Sequence, residues 1–198
     1  IICYRCGMFK RAILPLLVCG VAYAAESFEN QPVGGVSSLM LECGTLSAEA
    51  GHASIIAKHA RTGKQALHLQ GGQNQHARLT FPSPLAQDTQ LSFWLQRWTF
   101  RPPFDFRLIA ETPGGLVELK KIDRMSVGGY HEQVQVLLPS GTKSLMFLCT
   151  SDARGGALID DMELFNGEMQ LQSAALVNPG AFPLLKRAPI NPVMGYKI

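Results

Sequence analysis

From Ser27 to Phe165 the chain reads as short runs in which apolar and polar side chains alternate, separated by glycine, proline, asparagine and serine. Leu67 and Leu69 alternate with polar partners over 65–70, Ala77, Leu79 and Phe81 with His76, Arg78 and Thr80, and Leu91, Phe93 and Leu95 with Gln90, Ser92, Trp94 and Gln96. A period of two places successive side chains on opposite faces of a strand. The same rhythm predicts strands over 27–30, 39–43, 52–57, 104–110, 116–122, 132–138, 143–150 and 155–165. Thr62-Gly63-Lys64, Gly71-Gly72-Gln73-Asn74 and Pro82/Pro84 supply the turns. No segment has the 3.6-residue rhythm of an amphipathic helix. About ten short strands without helices predict an all-β fold, an antiparallel β-sandwich of the jelly-roll type.

One strand breaks the pattern. In Gly155–Phe165, Asp160 falls in register with Leu158, Met162 and Leu164, which predicts a carboxylate pointing into the core. A bare carboxylate there costs several kcal/mol, so it must be neutralised, paired or bound to a cation, and Ca²⁺ is the usual occupant of all-oxygen sites. A register shift would instead leave Asp160 and Asp161 in solvent at the strand end.

Composition changes this picture little. Of the 198 residues, 46% are hydrophobic and 17% charged, enough for one sizeable core. The formal charge of +3 arises at the front of the chain: Arg5, Lys10 and Arg11 precede the first acid, Glu26, and without them the basic residues equal the 15 acids. Neither nucleic acid nor an anionic membrane surface is implied as a partner. Met8-Phe9-Lys10-Arg11, the apolar run 12–21 and Ala22-Tyr23-Ala24 have the three-part form of a secretory signal peptide over 8–24, too short to span a bilayer. This predicts an exported protein, secreted, periplasmic or cell-surface, with no membrane span after cleavage. A lipoprotein reading on Cys19 has an unfavourable valine before the cysteine. Residues 1–7 are read as translation upstream of the start at Met8, so Cys3 and Cys6 are set aside. Of the cysteines after the leader, Cys43 and Cys149 suit either one disulfide or buried thiols. The sandwich is expected over 25–167, a proline-punctuated linker over 168–190, and the opening of a further domain over 191–198.

Candidate chemistry concentrates on the strand 90–98, whose polar face carries Trp94 and Trp98 among Gln90, Ser92 and Gln96. Flat aromatic rings beside amides suit a sugar, the ring packing on the apolar face of a pyranose and the amides meeting its hydroxyls. Arg78, Arg107, Gln133 and Gln135 are out of phase with their apolar neighbours and extend that surface. The competing reading is that both tryptophans are packing residues. The candidate carbohydrate contacts are therefore Trp94, Gln96, Trp98, Arg107 and Gln135. No catalytic set is recognisable: the histidines lack metal-ligand spacing, no Gly-x-Ser-x-Gly occurs, and no carboxylate pair stands out.

Ser27-Phe28-Glu29-Asn30, Thr62-Gly63-Lys64-Gln65-Ala66-Leu67 and Leu158-Ile159-Asp160-Asp161-Met162-Glu163-Leu164 together resemble the jelly-roll modules of secreted bacterial carbohydrate-active enzymes. In those modules an N-terminal Phe-Glu and a C-terminal Asp-Asp-Val frame a structural calcium ion. The resemblance implies Glu29, Asp160 and Asp161 as Ca²⁺ ligands, with backbone carbonyls near Gly63. The run LSFWLQRWTFRPPF and the tail RAPINPVMGYKI further resemble the N-terminal, non-catalytic region of exported bacterial exo-α-sialidases, where a β-sandwich precedes a propeller. What this implies is an accessory domain that holds a sialidase on sialylated or mucin-type glycans, with a catalytic domain downstream. The alternative is a structural or adhesion β-sandwich of a surface protein, without a ligand of its own.

Overall fold

A computed structural model of the chain describes residues 23–166. The expected leader, linker and following domain lie outside the described residues, except that Tyr23 and Ala24 belong to the first strand. Among the described residues thirteen strands run in order: β1 Tyr23–Glu26, β2 Gly34–Gly35, β3 Ser38–Leu41, β4 Gly44–Ser47, β5 Ala53–Ile56, β6 Ala66–Gln70, β7 Gln75–Thr80, β8 Thr89–Arg97, β9 Phe104–Thr112, β10 Gly115–Ile122, β11 Glu132–Leu138, β12 Ser144–Ser151 and β13 Gly156–Asn166. Ten of the eleven expected segments hold a strand, with ends shifted by up to two residues, and β1, β2 and β4 fall outside the expected set. Ser27–Asn30 holds none: it is a turn that follows β1, with Phe28 at φ 62° and its ring fully buried. Among the described residues no helix is long and apolar enough to cross a membrane.

The strands form two antiparallel sheets. One has the order β11-β8-β13-β6-β5-β2, with β1 also paired to β13; the other has the order β10-β9-β12-β7-β4-β3. β13 lies against β8 along one side, while its other side is shared by β6, through Gly156–Ile159, and β1, through Met162–Phe165. Inward residues of the two sheets meet in one core that includes Leu67, Leu69, Leu91, Leu95, Phe106, Leu108, Leu145 and Phe147. Phe93 joins the layers, its ring 5.5 Å from that of Phe147 and 6.1 Å from that of Phe106. Each fully buried ring or Leu side chain contributes about 2 kcal/mol by leaving water. The edge strand β10 is exposed along most of its length and carries Glu118, Lys120 and Lys121, charges that discourage edge-to-edge pairing.

Cys149 is buried in β12 and Cys43 is partly buried after β3; both are free thiols. Burial pushes them up to about 12 and about 11, which keeps both protonated and unreactive at neutral pH.

Candidate functional site

The strand that was expected to hold a core-facing aspartate does something different. Asp160 is fully buried, yet it lies across from Trp94, and Leu158 lies across from Gln96, so both share the outer face of their sheet with the polar set of β8. The core is filled from β13 by Ala157 and Ile159, then by Met162 and Leu164. A β-bulge between Asp160 and Glu163, with Asp161 at φ 47°, inserts the extra residue that moves the inward set from odd to even numbers. The expectation of a core-pointing carboxylate is thereby corrected: Asp160 is covered by loop 57–65, not by the opposite sheet.

That loop explains how the charge is tolerated. Asp160 Oδ2 accepts the backbone N–H groups of Arg61 (2.7 Å) and Thr62 (3.2 Å), and Oδ1 accepts that of Asp161 (2.8 Å). Asp161 faces the same loop, accepting the Arg61 guanidinium at 2.6 Å and the Thr62 hydroxyl. Glu29 Oε1 accepts the N–H groups of Lys64 and Gln65, both at 2.7 Å, and its carboxylate rests against Gly63 at φ 65°, where a side chain would collide with it. The three expected cation ligands therefore converge on residues 61–65. Burial raises the Asp160 carboxyl to about 6; the backbone hydrogen bonds oppose that rise, and Asp161 adds to it.

The outer face around β8 carries the rest. Trp94 is half-buried with the Arg61 guanidinium 4.0 Å above its ring centre, a cation–π contact that occupies one face. Gln133 stands across from Trp94, and Gln135 across from Ser92, both exposed. Trp98, just beyond β8, stacks at 4.7 Å on the buried His68 and meets His59 edge-on at 5.0 Å. Burial lowers the pKa of His68, keeping it neutral, and its Nε2 lies 3.4 Å from the Gly155 carbonyl oxygen.

Gln96 and Trp98 form part of a hollow of about 560 Å³ whose other walls are His59 and Ala60 on one side and Gly128, Gly129 and Tyr130 on the other. The Tyr130 hydroxyl donates to the His59 carbonyl at 2.9 Å, tying the two loops together, and burial raises its pKa. His59 itself has φ 60°, an uncommon conformation for a residue with a side chain, held by these contacts. The hollow thus offers one large ring, an amide, an imidazole and a phenol. No signal in the period-two pattern marks His59 or Tyr130, because both lie in loops.

Arg107 is not part of this surface. It projects from β9, in the other sheet, and is engaged by Asp105 (2.6 Å) and Glu118 (3.7 Å). The guanidinium holds the Asp105 carboxyl below its usual range. Arg78, on β7, belongs to that sheet too and pairs with Glu111 at 3.0 Å. Of the expected sugar contacts, Trp94, Gln96, Trp98 and Gln135 share one sheet face, and Arg107 lies on the opposite side of the sandwich.

No protein-family model matches the chain, and no curated protein matches it. Solved structures do. The K1 cleaved adhesin domain of Lys-gingipain from Porphyromonas gingivalis W83 is similar over 74% of this chain and 99% of that one, with a TM-score of 0.54 at 17% identity. The CBM22-1 xylan-binding domain of Paenibacillus barcinonensis Xyn10C is similar over 71% and 91%, with a TM-score of 0.44 at 18% identity. TmCBM61, solved with β-1,4-galactotriose, is similar over 62% and 87%, with a TM-score of 0.45 at 16% identity. The likeness is one of fold. Of the three, the adhesin domain alone reaches a TM-score that bears on it.

Proposed function

We propose that residues 23–166 are an adhesion domain of an exported protein, non-catalytic in themselves, and that the surface they adhere to is glycan, held in the hollow between His59 and Tyr130. The observation that carries this reading is the hollow itself: Trp98 and Gln96 line a space of about 560 Å³ between two loops joined by the Tyr130 hydroxyl. An aromatic ring with a few convergent polar groups in a concave, already formed site is what a sugar ring needs. The fold likeness to an adhesin domain supports the broader class. The test is an array of immobilised glycans probed with the full chain and with Trp98→Ala. Retention of a defined glycan set by the parent, weakened at least thirtyfold in the variant, is the expected outcome, the magnitude of a central aromatic contact.

A second reading, a spacer with no ligand of its own, is favoured by the Arg61 guanidinium over Trp94 and by the loop that covers Asp160. A parent that retains no glycan on the array would establish it. The narrower assignment to the front of an exo-α-sialidase rests on the resemblance of LSFWLQRWTFRPPF and RAPINPVMGYKI, and aspartate boxes encoded beyond Ile198 would support it.

A structural Ca²⁺ held by Glu29, Asp160 and Asp161 belongs to the same proposal. Three carboxylates around one loop are the oxygen-rich surroundings a hard cation takes. Among the described residues no three His, Cys, Asp or Glu side chains are grouped closely enough to hold a metal by themselves, so backbone carbonyls near Gly63 would complete the shell. The ion would offset the negative charge that backbone N–H groups and Arg61 now share. Excess EDTA is expected to lower the melting temperature and added Ca²⁺ to restore it; a melting curve indifferent to both removes the ion.

A further inference from the structure

We infer that the glycan is an acidic one, a saccharide bearing a carboxylate or sulfate, and that its negative group is read in a second hollow beside the first by Arg101 and Arg154. This inference rests on the glycan reading above.

The second hollow, of about 500 Å³, is lined by Trp98, Thr99, Phe100, Arg101, Val127, Gly128 and Arg154. It shares Trp98 and Gly128 with the first, so the two are neighbouring sites on one surface. Its charge is unusual for this molecule. Among the described residues Arg61, Arg78 and Arg107 are each in an ion pair, and Arg97 donates to the Phe100 (3.1 Å) and Arg101 (2.9 Å) carbonyls. Arg101, Arg124 and Arg154 have no such partner; Arg124 lines a different hollow, while Arg101 and Arg154 are both exposed on this one rim. Two unpaired guanidiniums, each able to present a planar fork to an oxyanion, flank one space.

The apolar part of the hollow is equally unexplained by packing. Phe100 is 76% exposed and Val127 37%, next to the ring of Trp98. Phe100, Val127 and Trp98 line one space, and contiguous apolar side chains with a charged rim are the kind of patch that binds. The platform is also held in place. Arg97 grips the Phe100 and Arg101 carbonyls, while its own backbone forms a parallel bridge with Val127, and the Trp98 N–H donates to the Gly156 carbonyl at 3.1 Å. A site with its loops already ordered loses little entropy when it binds. A sugar ring laid on Phe100 or Trp98 brings an exocyclic carboxylate or sulfate to the rim where the arginines stand, and the adjoining sugar reaches the Gln96–Tyr130 hollow.

The test uses the full chain and paired oligosaccharides, each as a neutral parent and as its carboxylated and its sulfated derivative: lactose, sialyllactose and lactose 3′-sulfate in solution, and a wider set of such pairs on an array. Acidic members should bind at least tenfold more tightly than their neutral parents, with the advantage shrinking as salt rises. In the Arg101→Gln/Arg154→Gln double variant, both sites being exposed and the melting temperature unchanged, that ratio should fall to about one while neutral binding persists. The carboxylated and sulfated arms show which oxyanion is preferred. Equal binding of acidic and neutral members by the parent overturns this inference and leaves the glycan reading intact, as does an acidic preference that survives the double variant. Hexaglutamate binding more tightly than any sugar overturns it in favour of an acidic peptide. Retention of no glycan of either kind removes both readings together.

Discussion

Asp160→Ala is expected to lower the unfolding free energy by about 3 kcal/mol, and the melting temperature by about 10 °C. The carboxylate is fully buried and is the acceptor for three backbone N–H groups, those of Arg61, Thr62 and Asp161. Alanine leaves all three donors without their acceptor, and it releases loop 57–65, with Arg61 and its contact to Trp94. Asp160→Asn, which keeps one oxygen for the loop, should cost less than half as much. The pH profile identifies the cause. Burial lifts the Asp160 carboxyl from 3.8 to about 6, so the folded chain holds this proton more tightly than the unfolded chain does. The contribution of that difference is fully present below about pH 4 and is lost as pH rises through 6, the reverse of an ion-paired aspartate. Urea titrations of the EDTA-treated chain at pH 4, 5, 6 and 7 should show a decline across this window in the parent that is absent from Asp160→Asn.

Gly156→Ala should be as damaging, by about 3 kcal/mol or more, for a different reason. Gly156 opens β13 at φ 117°, a conformation that side chains resist, and a Cβ there would collide with the Leu69 carbonyl oxygen and press on the His68 ring. The residue sits where β13 first meets β6, across from Gln70, and its carbonyl accepts the Trp98 N–H. The substitution therefore pries β13 from β6 where the two first meet and disturbs the His68–Trp98 stack in the same step. Thermal melting gives the loss of stability, and a weaker near-ultraviolet tryptophan signal gives the loss of the stack. A variant that melts like the parent contradicts the close approach.

The two-layer fold was legible because strands buried on one side must alternate, and β7, β8, β9 and β12 do so over most of their length. Parity says which residues share a face of one strand. It does not say which sheet the strand joins. Arg107 and Trp98 are both outward residues in the alternation, and only the pairing of β9 with β12 rather than β8 separates them to opposite sides of the sandwich. Asp160 shows a second limit, because one inserted residue reverses parity, and nothing in Ile159-Asp160-Asp161-Met162 announces a bulge. Both tryptophans were found as candidates from their strand. Tyr130, His59 and Phe100 were not, since loop residues carry no period, and their meeting depends on how 57–65, 98–103 and 123–131 fold over one sheet end.

The position of β13 has a consequence for how such a chain is made. It is the last strand of the described domain, yet it is flanked on one side by β8 and on the other by β6 and β1. Until residue 166 has left the ribosome, β6 and β8 have no strand between them, and the remaining pairings join residues far apart in sequence, which form slowly. The nascent domain therefore stays open and threadable until its last strand has been made, the condition a polypeptide needs if it is to cross a membrane before it folds.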